Sequence, residues 1–211
     1  MNSERHSSLA EARNRTAAGR VSDDVLLDAA RECVLATGVR RTTLAEIART
    51  AKVSRMTLYR RFPDVRSILA ALMTREFTGL LRRTSKQAGT AATARERLVH
   101  SSVSGVRALV ADPLMRTVLD LDAEMIMPYV VQRLGATQRL AEEVIDALIA
   151  AGHADGSIRK GDRVVQARAF LLVVQSFVLS LRPATTDVDE STLLEELGHL
   201  LDATLRPAER A

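Results

Sequence analysis

The chain has 211 residues, 46% hydrophobic and 27% charged, enough apolar material for a core and too much for a disordered chain. No uninterrupted apolar run reaches the roughly 18 residues of a membrane span. The first twenty residues hold four arginines and no apolar leader segment. A single cysteine, Cys33, excludes an internal disulfide and a Cys-based zinc site. The expected class is a soluble, cytoplasmic protein with no membrane partner.

The net charge of +4 is unevenly divided: residues 1–66 hold 13 Lys+Arg against 8 Asp+Glu, and residues 67–211 hold 17 against 18. The whole basic excess therefore sits in the first third. That pattern suggests a polyanion-binding head on a neutral body.

Residues 1–20 read as a disordered basic arm carrying Arg5, Arg13, Arg15 and Arg20. It is either a tail with non-specific affinity or an arm that tracks a minor groove. Ser22 then caps a helix, with Asp23 and Asp24 facing its positive end. Val25, Leu26, Ala29, Ala30, Cys33 and Val34 form its inward stripe, and Gly38 ends it. Thr43-Leu44-Ala45-Glu46 is a capping box that opens a short helix with Leu44, Ile47, Ala48 and Ala51 inward. A turn at Lys52-Val53 leads to Ser54, a second N-cap, and a helix from Arg55 to Phe62. Pro63 stops it, and Asp64 caps a longer helix running to about Lys86.

Residues 87–92 read as a connection, and the Thr93–Glu96 capping box opens a helix to about Ala111. Asp112-Pro113 starts another, and residues 137–151 form an amphipathic helix closed by Gly152. HADGSIRKGD, residues 153–162, reads as a surface loop. Val164 to Leu181 is apolar on nearly every face and must be covered all round, and residues 189–205 carry a leucine face. No alternating strand pattern and no glycine-rich phosphate loop interrupts the series. The expected fold class is all-α, with an N-terminal three-helix head containing a helix-turn-helix and a C-terminal helical domain. The expected division is a basic arm at 1–20, a helical head at 21–66 and a helical body at 67–211.

Residues 43–62 have the size and pattern of a helix-turn-helix. With Leu58 and Phe62 facing inward, Met56 and Arg60 point most directly outward, flanked by Thr57 and Tyr59, with Arg55 near the helix start. Such a face joins a cation for guanine edges, an apolar group for thymine methyls and hydroxyls for phosphates. Arg40, Arg41, Arg49, Arg61 and Arg66 surround it as further cations. Ordinary helical packing with arginines on a solvated face would show the same helices, but would not place the basic excess here.

The stretch TTLAEIARTAKVSRMTLYRRFPDVRSIL, residues 42–69, resembles the N-terminal signature of TetR-family repressors. Ile47-Ala48, Val53-Ser54, Thr57-Leu58-Tyr59 and Phe62 agree together. The resemblance implies that Arg55 and Met56 read base edges, that Thr57 and Tyr59 hold phosphates, that Thr43 contacts the backbone and that Arg61 adds a phosphate contact. Lys52 departs from the pattern, standing where glycine is usual. So does Val65, where a phosphate-binding lysine is common; Arg66, one position on, is a candidate substitute.

The resemblance further implies a C-terminal dimer interface and ligand cavity. The apolar 164–181 helix and the leucine-faced 189–205 helix fit a homodimer built by two-fold symmetry. Met115, Met125, Met127, Tyr129, Phe170 and Phe177 are candidates to line an apolar cavity, though at any one of them plain core packing is the simpler explanation. His100, with Asp120, Asp122 and Glu124, would frame a polar ligand group, or those carboxylates are a solvated acidic face. Among these, His100, Met125, Tyr129, Phe170 and Phe177 are the candidate effector contacts. Cys33 is expected to be a small core residue. No metal ligands, catalytic residues or cofactor are expected, and so no enzyme. The expected function is a ligand-responsive dimeric repressor of a palindromic double-stranded DNA operator, released by a small-molecule effector of apolar character. The alternative is an all-α enzyme or small-molecule-binding module with no DNA function.

Overall fold

Ser22 opens the first helix as its residue type requires, its hydroxyl accepting from the Val25 amide. In the computed structural model, which describes residues 22–121, 124, 127, 128 and 132–208, this helix is α1, Asp23–Thr37. The basic arm, and with it residues 1–20, lies outside the described residues. Helices α2 (Leu44–Thr50), α3 (Arg55–Arg61) and α4 (Val65–Gln87) follow, then a 3-10 turn at Ala88–Thr90. The remaining helices are α5 (Ala94–Ala111), α6 (Pro113–Leu121), α7 (Ala136–Asp155), α8 (Arg163–Ala184) and α9 (Glu190–Leu205). Among the described residues there is no strand, so the fold class is all-α.

Two compact units part between Leu72 and Met73, inside α4. In the first, α1 packs on α2 and α2 on α3, with Leu26, Ala30, Ile47, Leu58, Ile68 and Leu72 buried. The inward stripe of α1 differs from expectation at one end: Val25 is exposed and Leu27 is buried. Leu27 stands three residues before Ala30 and seven before Val34, so the helical period accommodates it equally well. Cys33 is partly buried, its Sγ 3.5 Å from Thr50 Oγ1 on α2.

In the second unit α5 is the hub, packing on α6, α7, α8 and α9. Its core holds Leu98 and Val106 of α5, Ile149 of α7, Phe170 of α8, and Leu194 and Leu197 of α9. The expected end of α7 at Gly152 is corrected: the helix continues to Asp155 and stops at Gly156, whose φ of 77° is the left-handed cap. Gly152 is glycine because of packing. A Cβ there would lie 2.4 Å from Ile158 Cγ1 and Cδ1.

The surface loop expected at residues 153–162 is also corrected. Residues 153–155 are helical, and Ile158 is buried at 1% exposure. The remainder is a clasp. Asp155 accepts from the Ala94 amide at 2.8 Å, Ser157 Oγ from the Arg95 amide, and the Arg159 amide donates to Leu205 O at 2.8 Å. Two free amides at the start of α5 and one carbonyl at the end of α9 are thereby satisfied. Hydrogen bonds from Ser157 and from the Ala94 amide hold the Asp155 carboxyl below the usual carboxylate range.

The covering expected around α8 is likewise not found among the described residues of one chain. Ala167, Phe170, Leu171 and Leu181 are buried, while Val164, Val165, Leu172 and Val173 are exposed. By length and hydropathy alone α8 is apolar enough to cross a membrane, with 28% of its most apolar stretch buried. Gln166, Gln175, Ser176 and Ser180 interrupt its apolar run.

Substituting Gly152→Ala should lower stability by about 1–3 kcal/mol, because Ile158 has no room to retreat. Gly89→Ala, with nothing within 4 Å of its Cβ position, is the matched control. Equal urea midpoints for the two variants would contradict the packing account.

Candidate nucleic-acid interface

Both helices of the helix-turn-helix are seven residues long, below the length at which an isolated helix holds in water. Their ends are therefore closed by side chains. The Thr43 hydroxyl accepts from the Glu46 amide at 3.2 Å, and Glu46 Oε2 accepts from the Thr43 amide at 3.1 Å, completing the predicted capping box. Ser54 Oγ accepts from the Thr57 amide at 3.1 Å and opens α3.

The turn between them is a Schellman closure. The Val53 amide donates to Ala48 O at 2.9 Å and the Lys52 amide to Arg49 O at 3.1 Å. Lys52 supplies the left-handed residue, with φ 55°. The departure from glycine noted in the sequence is thus a strained position, not a different turn.

This closure sends α3 off α2 with Leu58 inward at 0% exposure. Met56 and Tyr59 face outward at 77% and 47% exposure, and Arg55, Arg60, Arg61 and Arg66 are exposed too. Phe62 caps α3 and is half-buried rather than fully inward. Seven of the eight expected contact residues lie between Arg55 and Arg66 and the eighth, Thr43, caps α2, and they divide by availability. Arg55, Arg60 and Arg66, with Arg49 of α2, have no ion-pair partner among the described residues. Each can meet a phosphate or base without first breaking a pair. Arg61 is already engaged: its Nη1 lies 2.7 Å from Asp23 Oδ1 on α1. Thr43 and Thr57 are likewise engaged, through the Glu46 carboxylate and the Ser54 hydroxyl.

Arg49 and Arg55 share an open groove of about 430 Å³ with Ala45, Glu46, Ala48 and Val53. By sequence alone Arg49 is one of several cations around the helix-turn-helix. Its place at the end of α2, six residues before Arg55, is the signal that singles it out.

The candidate effector residues are not brought together in the same way. Phe170 is a core residue at 3% exposure, Phe177 packs partly buried against that core, and His100 is exposed on α5. Met125 and Tyr129 lie outside the described residues. Asp120, considered beside His100, is ion-paired with Arg182 of α8. Gln138 of α7 and Gln175 of α8 hydrogen-bond across the unit, two residues from Phe177.

The sequence model of the family described as bacterial regulatory proteins, tetR family, matches residues 26–72. A protein from Mycobacterium bovis, described as an uncharacterized HTH-type transcriptional regulator, is 37% identical over 180 residues, covering 85% of this chain and 92% of the relative. The transcriptional regulator FadR from Bacillus subtilis, solved with stearoyl-CoA, is similar in fold with a TM-score of 0.64 at 19% identity, over 88% of this chain and 100% of that one. RolR, solved with resorcinol, has a TM-score of 0.64 at 17% identity, over 93% and 90%.

Replacing Lys52 with glycine should raise stability by roughly 0.5–1 kcal/mol, since a left-handed backbone costs a side-chain-bearing residue about 1 kcal/mol or more. Equilibrium urea unfolding reads the difference. A stability loss would show that Lys52 makes a compensating contact.

Proposed function

The chain belongs to the tetR family of bacterial regulatory proteins and is an HTH-type transcriptional regulator, and from that premise we propose that it is a homodimeric repressor of a palindromic operator, released by a small-molecule effector. Membership of the family favours a DNA regulator over an all-α enzyme or small-molecule-binding module with no DNA function. The observation that carries the reading is the outward face of α3, where Arg55, Met56, Tyr59 and Arg60 project from a helix anchored by Leu58.

Arg55 and Met56, in the first turn of α3, are the base readers: a guanidinium for guanine O6 and N7 and a thioether for thymine methyls. Arg49, Arg60 and Arg66 supply phosphate contacts, and Tyr59 adds its hydroxyl. Thr43 and Thr57 contribute less, because their hydroxyls already serve the caps. The proposed DNA-binding domain is residues 21–66, and the proposed ligand-binding and dimerisation domain is 67–211.

The dimer reading rests on α8. Val165, Ala169, Leu172, Ser176 and Ser180 recur at spacings of four, three, four and four, and all are exposed. Such a stripe joins apolar side chains with small ones that let a second helix approach closely. A two-fold pairing of α8 with its symmetry mate, flanked by Leu200 of α9, would cover it. Paired heads then suit half-sites one or more helical turns apart, about 34–36 Å per turn.

The effector is placed in the second unit, with Phe177 the best supported of the candidate contacts because it is only partly buried beside the core. His100, Met125, Tyr129 and Phe170 complete the proposed set, which favours an apolar ligand. FadR and RolR accommodate stearoyl-CoA and resorcinol, so this fold admits ligands of very different size. Tenfold relief of repression needs a preference of about 1.4 kcal/mol for the conformation that does not bind DNA.

Two experiments test the proposal. On a duplex with the preferred half-sites, Arg55→Ala should lose about 1–3 kcal/mol of discrimination at one base pair per half-site. Uniform weakening across all substitutions would make Arg55 a phosphate contact only. Leu172→Glu should leave helicity by circular dichroism unchanged while shifting the sedimenting species from dimer to monomer. A dimer that persists would remove α8 from the interface.

A further inference from the structure

Asp23 and Arg61 are 38 residues apart in the chain and meet in the head, with Arg61 Nη1 2.7 Å from Asp23 Oδ1. Asp23 is the first residue of α1 and Arg61 the last of α3. Each charge therefore sits at the helix end whose dipole favours it, the carboxylate at an N-terminus and the guanidinium at a C-terminus. The side chains remain 53% and 35% exposed, so solvent and a competing anion both reach the pair. Arg49, Arg55, Arg60 and Arg66 have no ion-pair partner among the described residues. One arginine of the DNA-facing set is neutralised in advance and the others are not.

We propose that Asp23 is a specificity-determining residue: it competes with DNA phosphate for Arg61 and so lowers the sequence-independent affinity of the head. The inference rests on the reading of α3 as the DNA-facing helix. A carboxylate and a phosphate are alternative partners for the same planar guanidinium. While Asp23 holds Arg61, the pair is neutral and releases no counterion on binding. Sequence-independent affinity comes from such released counterions, each neutralised phosphate adding about 0.9 to the slope of log K against log salt. A regulator retained too strongly on random DNA is drawn away from its operator by mass action. Cancelling one cation with a carboxylate of the same chain weakens that retention and leaves the base-reading residues Arg55 and Met56 untouched. Asp24 still faces the positive end of α1 when Asp23 is removed, so the helix start is kept.

The test uses the full chain and a random-sequence duplex, with anisotropy titrations from 50 to 200 mM salt. Asp23→Asn should bind more tightly at low salt, with a slope steeper by about 0.9, so that it loses about 3.5-fold more affinity than the parent across that range. Asp23→Asn combined with Arg61→Gln should return to the parent slope, since one neutral pair replaces another. Asp23→Ser makes the same measurement if the asparagine variant folds poorly. The proposal is overturned if the Asp23 variants titrate like the parent. It is also overturned if the double variant's slope is shallower than the parent's by about 0.9, because Arg61 would then already hold a phosphate. A parent that shows no salt-dependent DNA binding overturns the DNA-facing reading of α3, and this inference with it.

Discussion

Seven-residue helices do not persist in water on their own hydrogen bonds, so the working face of this protein depends on how the ends of α2 and α3 are closed. The Thr43–Glu46 box fixes the start of α2, the left-handed Lys52 its end, and Ser54 the start of α3. Little freedom remains between Ala51 and Ser54, and the direction of α3 follows from that turn. Leu58, fully buried, sets its rotation. Because Leu58 faces in, Met56, Tyr59, Arg55 and Arg60 face out, which makes the proposed interface a consequence of backbone closure more than of any single contact.

The charge division of the chain has its structural counterpart in this face. Arg49, Arg55, Arg60 and Arg66 on and beside α3 are exposed and have no ion-pair partner among the described residues, whereas Arg95, Arg163, Arg168, Arg182 and Arg206 of the second unit are each paired with a carboxylate. A pair as exposed as Arg182–Asp120 contributes little stability, and the body is near neutral because residues 67–211 hold 17 Lys+Arg against 18 Asp+Glu. Asp23 extends the same principle into the head, where it removes one cation from an otherwise unpaired set.

What was legible in the sequence was local. Caps at Ser22, Thr43, Ser54, Asp64 and Thr93 act within three residues of themselves, and each side chain makes the predicted bond or capping contact. Helical period located the buried Leu58 and, by subtraction, the outward set. Contacts between distant residues were not legible. Gly152 has the composition of a helix stop, yet its role is set by Ile158 crossing its Cα face. Ile158 sits among turn formers and is a core residue because the clasp of Asp155, Ser157 and Arg159 folds it inward. The Asp23–Arg61 pair leaves no periodic trace at a separation of 38 residues. The apolar character of α8 was plain, but whether it is covered by its own chain is a question of assembly, and composition does not distinguish the two. The effector site was least legible, because an apolar side chain that packs a core and one that lines a cavity have the same residue type. Phe170 and Phe177, seven residues apart on one helix, illustrate this.

Selection of binding sites from random duplex DNA by the intact protein tests the central claim that the outward face of α3 reads bases as part of a two-fold assembly. The account predicts an enriched palindrome whose half-sites contain guanine opposite Arg55 and whose affinity falls steeply with salt. Recovery of no preferred sequence, with binding that depends only on charge, would contradict it.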